Sequence, residues 1–283
     1  MKSIAIYSLV VIAAAICGLI PGMAVETYGA ESNPEAEPCV TVEIARPDLF
    51  MSEYWNISFS SSVWCFTARL PVDEKLHWLM EAGFVLFDRD YTDPYNFHAE
   101  DQNVFMNPFL GVEFLDLNRR WFVQAGLRLP IISEESPMGK QYGMMADVDR
   151  MEAFTDDLIP VRLRLGNRLR DGSVTLHTYF GPSIWFFTGS ETDADTEIWL
   201  DYGGHIWVSS ELARIAGGFV GRYWLTADEG SFNERTLHQF DFTANFGRGR
   251  VRPGFRLKVP LDDDWESIGL KYVWGLHLTV LTH

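Results

Sequence analysis

The sequence has few cysteines, few basic residues for its length and no long apolar run beyond its N-terminal segment. Only three cysteines are present, and Lys plus Arg number 23 against 39 Asp plus Glu, which gives a net charge of −16. This balance disfavours a nucleic-acid partner, because phosphate binding needs a basic face. After residue 24 no apolar run approaches the roughly 20 residues that a membrane-spanning helix requires, so this part could cross a bilayer only as a closed barrel.

The N-terminal residues have the composition of an export signal. Lys2 supplies a positive start, residues 4–20 form an apolar run, and small residues follow up to Ala24, where a signal peptidase would cut. The run is slightly long for a signal core, so an uncleaved inner-membrane anchor is the alternative. The expected division of the chain is a signal peptide at 1–24, an N-terminal linker at 25–38 and one β domain at 39–283.

From residue 39 onward the chain is a series of segments of about 10 to 15 residues, rich in aromatic and branched side chains, whose character alternates at period two. This alternation predicts β-strands. The predicted strands are residues 39–46, 55–71, 75–88, 103–117, 119–131, 157–170, 173–188, 196–210, 213–227, 235–248, 250–261 and 267–281.

The links between these strands alternate in length. The short turns are 72–74, 117–119, 170–172, 211–212 and 247–249, and in all but 211–212 they contain Asp, Asn or Gly, which supply the backbone conformations of tight hairpins. The longer links are 88–102, 131–157, 188–196, 227–235 and 260–267. Short turns on one side and long loops on the other are typical of outer-membrane barrels, whose short side faces the periplasm.

Acidic residues concentrate in the long links, Asp147, Asp149 and Glu152 among them. We therefore expect the acidic charge to lie outside the barrel, where divalent cations could bridge it to anionic lipid headgroups. The longest link also has apolar residues at helical spacing, which predicts a short helix between residues 139 and 157. That helix could fold into the barrel mouth as a constriction or lie across it as a lid. The residues that carry the spacing are Tyr142, Met145, Val148 and Phe154.

Two cysteines remain after the expected signal, Cys39 and Cys65, and they are symmetric about residue 52. A hairpin turning there would place them opposite each other, as a disulfide in an oxidising periplasm. Two free buried thiols are the alternative.

Each predicted strand has one apolar face. In the fifth strand, Trp121, Val123 and Leu127 share a face, while Gln124 and Arg128 share the other. Periodicity does not distinguish an apolar exterior from an apolar core, and a soluble barrel or sandwich is the alternative. Strand lengths near the 9 to 11 residues that cross a bilayer favour an apolar exterior, as do aromatic residues near strand ends, which suit interfacial girdles. These aromatic residues are Trp55, Trp78, Trp121, Trp199, Tyr223 and Trp224.

The final strand places apolar residues in register on one face, namely Ile268, Leu270, Tyr272, Trp274, Leu276, Leu278 and Val280. It resembles the assembly signal of bacterial outer-membrane β-barrel proteins, a class that includes small porins, although it ends in His283 instead of an aromatic residue. The resemblance covers the chain after the signal and rests on pattern. It implies an all-β, antiparallel, up-and-down transmembrane barrel in the outer membrane of a Gram-negative bacterium. The implied partners are membrane lipids including lipopolysaccharide and the outer-membrane assembly machinery.

With the apolar face outward, basic side chains collect on the inner face. Fixed cations in a confined passage attract counter-ions, so this interior predicts a narrow porin-like channel that favours small anionic solutes. A non-conducting structural or adhesive barrel, in which the same arginines pair with acids, is the alternative. The predicted lumen residues are Arg69, Arg128, Arg162, Arg164, Arg168, Arg222, Arg252, Arg256, Lys258 and Lys271, with Glu81, Glu113, Asp201 and Asp241 as partners.

Motifs for enzyme, metal or nucleotide chemistry were not found in the sequence. Gly181-Pro182-Ser183 is not a nucleophile elbow, and Ser209-Ser210 adjoins a short turn, away from outer-leaflet substrates. No His or Cys spacing indicates a metal, and no glycine-rich loop indicates a nucleotide. We therefore expect no catalytic residues and no cofactor, with an outer-membrane lipid hydrolase or deacylase as the alternative. Four histidines are expected to be polar lumen residues: His177, His205, His238 and His277.

Overall fold

The computed structural model of the protein describes residues 37–49, 61–88, 102–116, 118–132, 136–189, 196–227, 231–247, 249–262 and 269–282. The expected signal peptide, and the linker up to residue 36, lie outside these ranges. Among the residues described, no helix is both long enough and apolar enough to cross a membrane.

Most of the described chain is β-structure. The strands are β1 (Cys39–Leu49), β2 (Ser62–Pro71), β3 (Leu76–Phe87), β4 (Gln102–Phe105), β5 (Phe109–Leu115), β6 (Trp121–Arg128), β7 (Leu158–Asp171), β8 (Val174–Phe187), β9 (Glu197–Ser209), β10 (Ala213–Trp224), β11 (Thr236–Phe246), β12 (Val251–Pro260) and β13 (Leu270–Leu281). An α-helix, α1 (Pro137–Ala146), and a 3-10 helix (Val148–Phe154) lie between β6 and β7, and a short 3-10 turn (Asn233–Arg235) precedes β11.

The strands form one closed antiparallel barrel. Each wall strand pairs with the next in the chain, and β1 pairs with β13 from Cys39 opposite Leu281 onward, which closes the ring. Both β4 and β5 pair with β3, so they act as one interrupted wall strand and the barrel has 12 strand positions. The predicted strand number, antiparallel order and closure are therefore confirmed.

The predicted strand 103–117 is interrupted, and the predicted strand 119–131 is shorter than expected. The interruption lies at Asn107 and Pro108. Proline has no amide proton for a ladder, and the Asn107 amide donates to the Ala153 carbonyl in the lumen at 2.7 Å. β6 ends at Arg128: the Leu129 amide donates to the Pro108 carbonyl at 3.0 Å, Pro130 has no amide proton, and the amides of Ile131 and Ile132 donate to the Asn107 side chain. The first part of the predicted strand 55–71, residues 55–60, lies outside the described ranges.

The short turns predicted at 72–74, 170–172 and 211–212 are confirmed, and those at 117–119 and 247–249 each include one residue outside the described ranges. Gly172 and Gly247 have φ of +56° and +97°, the left-handed conformation that glycine adopts without strain. In the turn between β2 and β3, the Asp73 carboxylate accepts hydrogen bonds from the amides of Lys75 at 2.7 Å and Leu76 at 2.8 Å. These two amides lower the pKa of Asp73, so the carboxylate that caps this turn is favoured in its ionised form.

The outer face of the barrel is apolar and the inner face holds the charges. Trp121, Leu163 and Leu276 are 53%, 47% and 53% exposed on the outer face. Arg128 and Arg222 on the inner face are 1% and 0% exposed. The predicted apolar exterior is therefore confirmed, and the alternative of an apolar core enclosed by a charged outer face is wrong.

The predicted aromatic girdle is present in part. Trp78 and Trp121 are exposed on the outer face near the short turns, and Tyr223 lies on the outer face, stacked on Phe232. Trp55 lies outside the described residues. Two other tryptophans, Trp199 and Trp224, point into the lumen.

Trp199 and Trp224 were predicted for the girdle, and this prediction is wrong. They lie two residues from Asp201 and Arg222, so strand alternation places them on the same inward face as these buried charges. Their rings stack with centroids 5.3 Å apart and planes at 5°, and Trp185 continues the row at 5.2 Å from Trp199. These rings stabilise neighbouring strands across the sheet.

Leu270 was predicted for the apolar outer face of the last strand, and it is buried inside instead, with 2% exposure. The register between β1 and β13 shifts between Asp48 and Leu49, which changes the side to which Leu270 points. Ile268 lies outside the described residues.

The two cysteines are free thiols and not the disulfide that the symmetry about residue 52 suggested. Cys39 pairs in register with Arg69, while Cys65 pairs with Glu43. The thiols therefore lie four residues apart along the same face of the β1–β2 pair, because the register of the two strands places Thr41 opposite Thr67.

The chain between β6 and β7 folds into the lumen. We call residues 136–157, which include α1 and the 3-10 helix, the inner segment. The helix predicted there is confirmed, and its position as a constriction inside the barrel is established, because its apolar residues pack on inward-facing wall residues of β1 to β4 and β13. Tyr142, Met145, Val148 and Phe154 are all at most 5% exposed.

The apolar exterior predicts a cost for charge on the outer wall. We expect Leu163→Arg, near the middle of β7, to lower the free energy of unfolding by about 2–4 kcal/mol, because the side chain would contact hydrocarbon. The measurement is equilibrium urea unfolding in lipid vesicles. Leu212→Arg is the matched control, since Leu212 is 72% exposed in a short turn. Equal costs for the two variants would contradict the membrane orientation.

Candidate functional site

The lumen has two parts. In the half nearer the long links, the inner segment fills the barrel and packs on the wall. In the half nearer the short turns there is a chamber of about 370 Å³. Thr41 and Thr279 line it towards the short turns, and Asp147, Asp149 and Arg150 of the inner segment bound it on the other side. The inner segment thus separates the chamber from the long-link side.

Glu152 of the inner segment is the first centre of the ion pairs that cross the lumen. Its carboxylate lies 3.3 Å from Arg128 Nε and 2.7 Å from Arg222 Nη1, and it also pairs with Arg162. Burial would raise the pKa of this carboxyl, but the three guanidinium groups outweigh burial and hold the pKa well below its usual range. Glu152 is therefore ionised at neutral pH and connects three arginines from three strands.

Asp201 on β9 is a second centre, next to the first. It is fully buried and accepts from Arg222 Nε at 2.9 Å and from Arg164 Nη2 at 3.0 Å. Arg164 also pairs with Asp149 of the inner segment at 2.9 Å. The strands β7, β9 and β10 are therefore joined to the inner segment by one connected network.

Arg150 attaches the inner segment to the opposite wall. It is 2.9 Å from Glu43 on β1, 2.8 Å from Glu81 on β3 and 3.3 Å from Asp147 beside it in the chain. Asp147 also pairs with Lys258 of β12. Arg150 is thus the one basic side chain of the 3-10 helix, and it bridges acids of two wall strands.

Asn107 holds both ends of the inner segment at the break in the wall. Its side-chain oxygen accepts from Ile131 at 2.8 Å and from Ile132 at 3.1 Å, just before the inner segment. Its side-chain nitrogen donates to the Thr155 carbonyl at 2.7 Å, near the other end. The carbonyl of Asn107 accepts from Arg128 at 3.0 Å. The missing strand pairing is therefore replaced by contacts to the inner segment.

Two smaller clusters lie nearer the short turns. Glu113, fully buried, pairs with Arg69 and with Arg168 at 2.9 Å, and accepts from Gln124 at 2.8 Å. Glu37, just before β1, lies 3.1 Å from Arg214 and 2.9 Å from Arg252. On β11, Asp241 pairs with Arg256.

Every predicted lumen residue but Lys271 is seen on the inward side of its strand. Lys271 is half-buried beside the register shift near the long-link end of β13. The others take part in ion pairs, and these are Arg69, Arg128, Arg162, Arg164, Arg168, Arg222, Arg252, Arg256, Lys258, Glu81, Glu113, Asp201 and Asp241. Their role as the lining of a conducting pore stays a prediction.

The sequence reasoning missed part of the lumen charge. Asp147, Asp149 and Glu152 were expected in an outer acidic loop and lie inside the barrel, because the segment that carries them folds inward. Glu43 was also missed, although it shares a strand face with Thr41 and Ala45, an alternation that could have found it. The lumen is therefore far closer to neutral than the predicted basic interior, since these acids offset the arginines.

The histidines do not form a common site. His177 and His205 lie opposite each other on β8 and β9, with ring centroids 6.3 Å apart, and His277 contacts Asn245 at 2.6 Å; all three line the chamber. His238 was predicted for the lumen and lies on the outer face instead. Across the described ranges, no three His, Cys, Asp or Glu side chains are grouped as a metal site would require.

Comparison with known proteins identifies the fold. No family model and no curated protein matches the chain. An outer membrane channel from Pseudomonas putida F1 is similar with a TM-score of 0.53 and 12% identity, covering 91% of this chain and 99% of the channel. LpxR from Salmonella typhimurium gives a TM-score of 0.47 and 11% identity, covering 86% of this chain and 99% of LpxR.

The fold is that of bacterial outer-membrane β-barrels. The closed 12-strand ring and the apolar outer face agree with it, since a barrel whose exterior contacts hydrocarbon must satisfy every backbone group within the wall. The chain is therefore a protein of the bacterial outer membrane, in contact with its lipids.

The network around Arg150 predicts a large cost for its removal. We expect Arg150→Ala to lower the free energy of unfolding by about 3–5 kcal/mol, because it leaves the buried acids Glu43 and Glu81 with fewer partners. Urea unfolding would measure the loss, and proteolysis within residues 136–157 would report release of the inner segment. Arg120→Ala in an exposed turn is the control, with an expected change of about 0–0.5 kcal/mol. A cost no greater than that of the control would show that Arg150 does not hold the inner segment.

Proposed function

We propose that this protein is a narrow outer-membrane channel for small anionic solutes, closed in the state described here by its inner segment. The observation that supports this proposal is the origin of the lumen charges. The inward faces of the wall strands carry more bases than acids, whereas Asp147, Asp149 and Glu152 come from the inner segment. Movement of the inner segment out of the lumen would leave a basic passage, in which fixed cations attract anions.

The attachment of the inner segment is compatible with such movement. It is held by ion pairs, by the contacts of Asn107 and by apolar packing, and no wall strand is built from it. Several of its apolar contacts are made by Met138, Met144 and Met151, flexible side chains that tolerate repacking. The chamber of about 370 Å³ on the short-turn side would already form half of the passage.

A second candidate is a structural or adhesive barrel that does not conduct. The observation that favours it is the tight closure beside the wall, where Val148 and Ala153 are 0% exposed and Phe154 is 1% exposed. In this function the acidic long loops would bind lipopolysaccharide through divalent cations. In both functions the final strand, with its alternating apolar face, would be recognised by the outer-membrane assembly machinery.

Single-channel recording in planar bilayers tests the channel. We expect wild-type protein to be mostly silent and the double variant Asp149→Asn with Glu152→Gln to give discrete, anion-selective steps. Each broken buried ion pair weakens the closed state by about 3–5 kcal/mol, and a change of about 5.5 kcal/mol reverses a 1:99 equilibrium. Adding Arg162→Ala and Arg164→Ala to the double variant should reduce the anion selectivity.

The control is Asp171→Asn, which removes one acidic charge from the exposed end of β7 and should remain as silent as wild type. Folding of each variant is checked by heat-modifiable mobility on gels. If the folded double variant stays silent over many insertions, the non-conducting barrel replaces the channel as the proposed function. Cation-selective steps that the two arginine substitutions do not change would remove the preference for anions.

A further inference from the structure

A polar row crosses three strands on the outer face of the barrel. Tyr202 on β9 is paired with Gly221 on β10, and Gly221 is paired with His238 on β11. The same faces carry exposed apolar residues, Ile206 at 54% and Phe240 at 41%, so this row faces the bilayer. Polar and ionisable groups on such a surface are costly and mark functional positions.

The row is continued by Asp262, two residues after the end of β12. One carboxylate oxygen of Asp262 lies 2.8 Å from His238 Nδ1, and the other accepts from the His238 amide. This contact fixes the ring with Nδ1 as the donor. His238 Nε2, 2.7 Å from the Tyr202 hydroxyl, then accepts the phenolic proton. The three side chains form a hydrogen-bonded chain from carboxylate to imidazole to hydroxyl.

Gly221 is required for the contact between Tyr202 and His238. A Cβ atom at this position would lie 2.5 Å from Tyr202 Cε2 and 2.9 Å from His238 Cδ2. Any other residue would therefore push apart the two side chains that meet over the intervening strand. A glycine inside a strand weakens the strand and marks a place of close approach.

Apolar packing orients the imidazole. The Phe219 ring stacks on His238 with centroids 5.1 Å apart and planes at 25°, and it also contacts Tyr202 at 6.1 Å. His238 is the third residue of β11, next to a long link, so the row lies near the end of the membrane-crossing part of the wall. Ester linkages of lipids lie at this depth, between acyl chains and headgroups.

We infer that Tyr202, His238 and Asp262 form an acyl-transfer site for ester-linked lipids of the outer leaflet. This activity is separate from conduction through the lumen, because the row and the ion-pair network lie on opposite faces of the wall. Tyr202 is the nucleophile and His238 the general base, and both would touch the substrate. Asp262 and Gly221 are positioning residues.

The reaction follows the order of the hydrogen bonds. The Tyr202 oxygen forms a bond to the acyl carbonyl carbon while its proton passes to His238 Nε2. The ester C–O bond then breaks, and the leaving alkoxide takes the proton from His238, which leaves an acyl ester on Tyr202. A water molecule next attacks this ester, gives one proton to His238 and releases the carboxylic acid as Tyr202 recovers its proton.

Hydrolysis of p-nitrophenyl palmitate by the purified full chain in detergent micelles tests this site. We expect Tyr202→Phe and His238→Gln each to lower the turnover at least about 100-fold, the usual contribution of a general base or more. Intact-mass and peptide analysis should find palmitoyl on Tyr202 after rapid quenching. Gly221→Ala should lower turnover as well, without removing any reacting group.

Tyr223→Phe is the matched control, because Tyr223 is an outer-face tyrosine next to the row that stacks on Phe232, and its turnover should equal that of wild type. Folded wild type that turns over no faster than folded Tyr202→Phe overturns the site, as does an acyl adduct on another residue. Conductance is measured on different variants, so failure of the channel and failure of this site are distinguishable.

Discussion

Contact with hydrocarbon is the constraint from which the rest of this structure follows. It requires a closed ring of backbone hydrogen bonds, because an unpaired edge would expose polar groups to lipid. It also fixes the direction of every strand face, with apolar side chains such as Trp121, Leu163 and Leu276 outside. Charged side chains on the other face are then confined to a lumen in which they must find partners.

Some of those partners come from a segment that the sequence presents as a loop. Glu152, Asp149 and Arg150 pair with arginines and acids from both sides of the wall, so the inner segment completes the charge balance of the lumen. Buried ion pairs of this kind contribute little net stability compared with apolar packing, but loss of one partner is costly. The network therefore specifies where the inner segment lies.

The break between β4 and β5 shows how local chemistry gives the inner segment its place. Pro108 cannot donate to a ladder, and Asn107 replaces the lost pairing by bonds to the chain just before the inner segment and to Thr155 near its other end. On the outer face, a glycine has a similar effect, since Gly221 allows two side chains from non-adjacent strands to meet. Pro108 and Gly221 are both poorly suited to a regular strand. Each lies where polar side chains make contacts that a regular strand would prevent.

The sequence by itself determined the class of fold, the approximate number of strands, the alternation of turns and links, and the apolar exterior. These features depend on local periodicity and turn chemistry, which are written along the chain. It also identified the inward arginines, because alternation assigns them to the face opposite the leucines. Only the tertiary structure decided the position of the inner segment, the inward direction of Trp199 and Trp224, and the meeting of Tyr202, His238 and Asp262. These depend on register and on contacts between residues far apart in the chain, which no local pattern records.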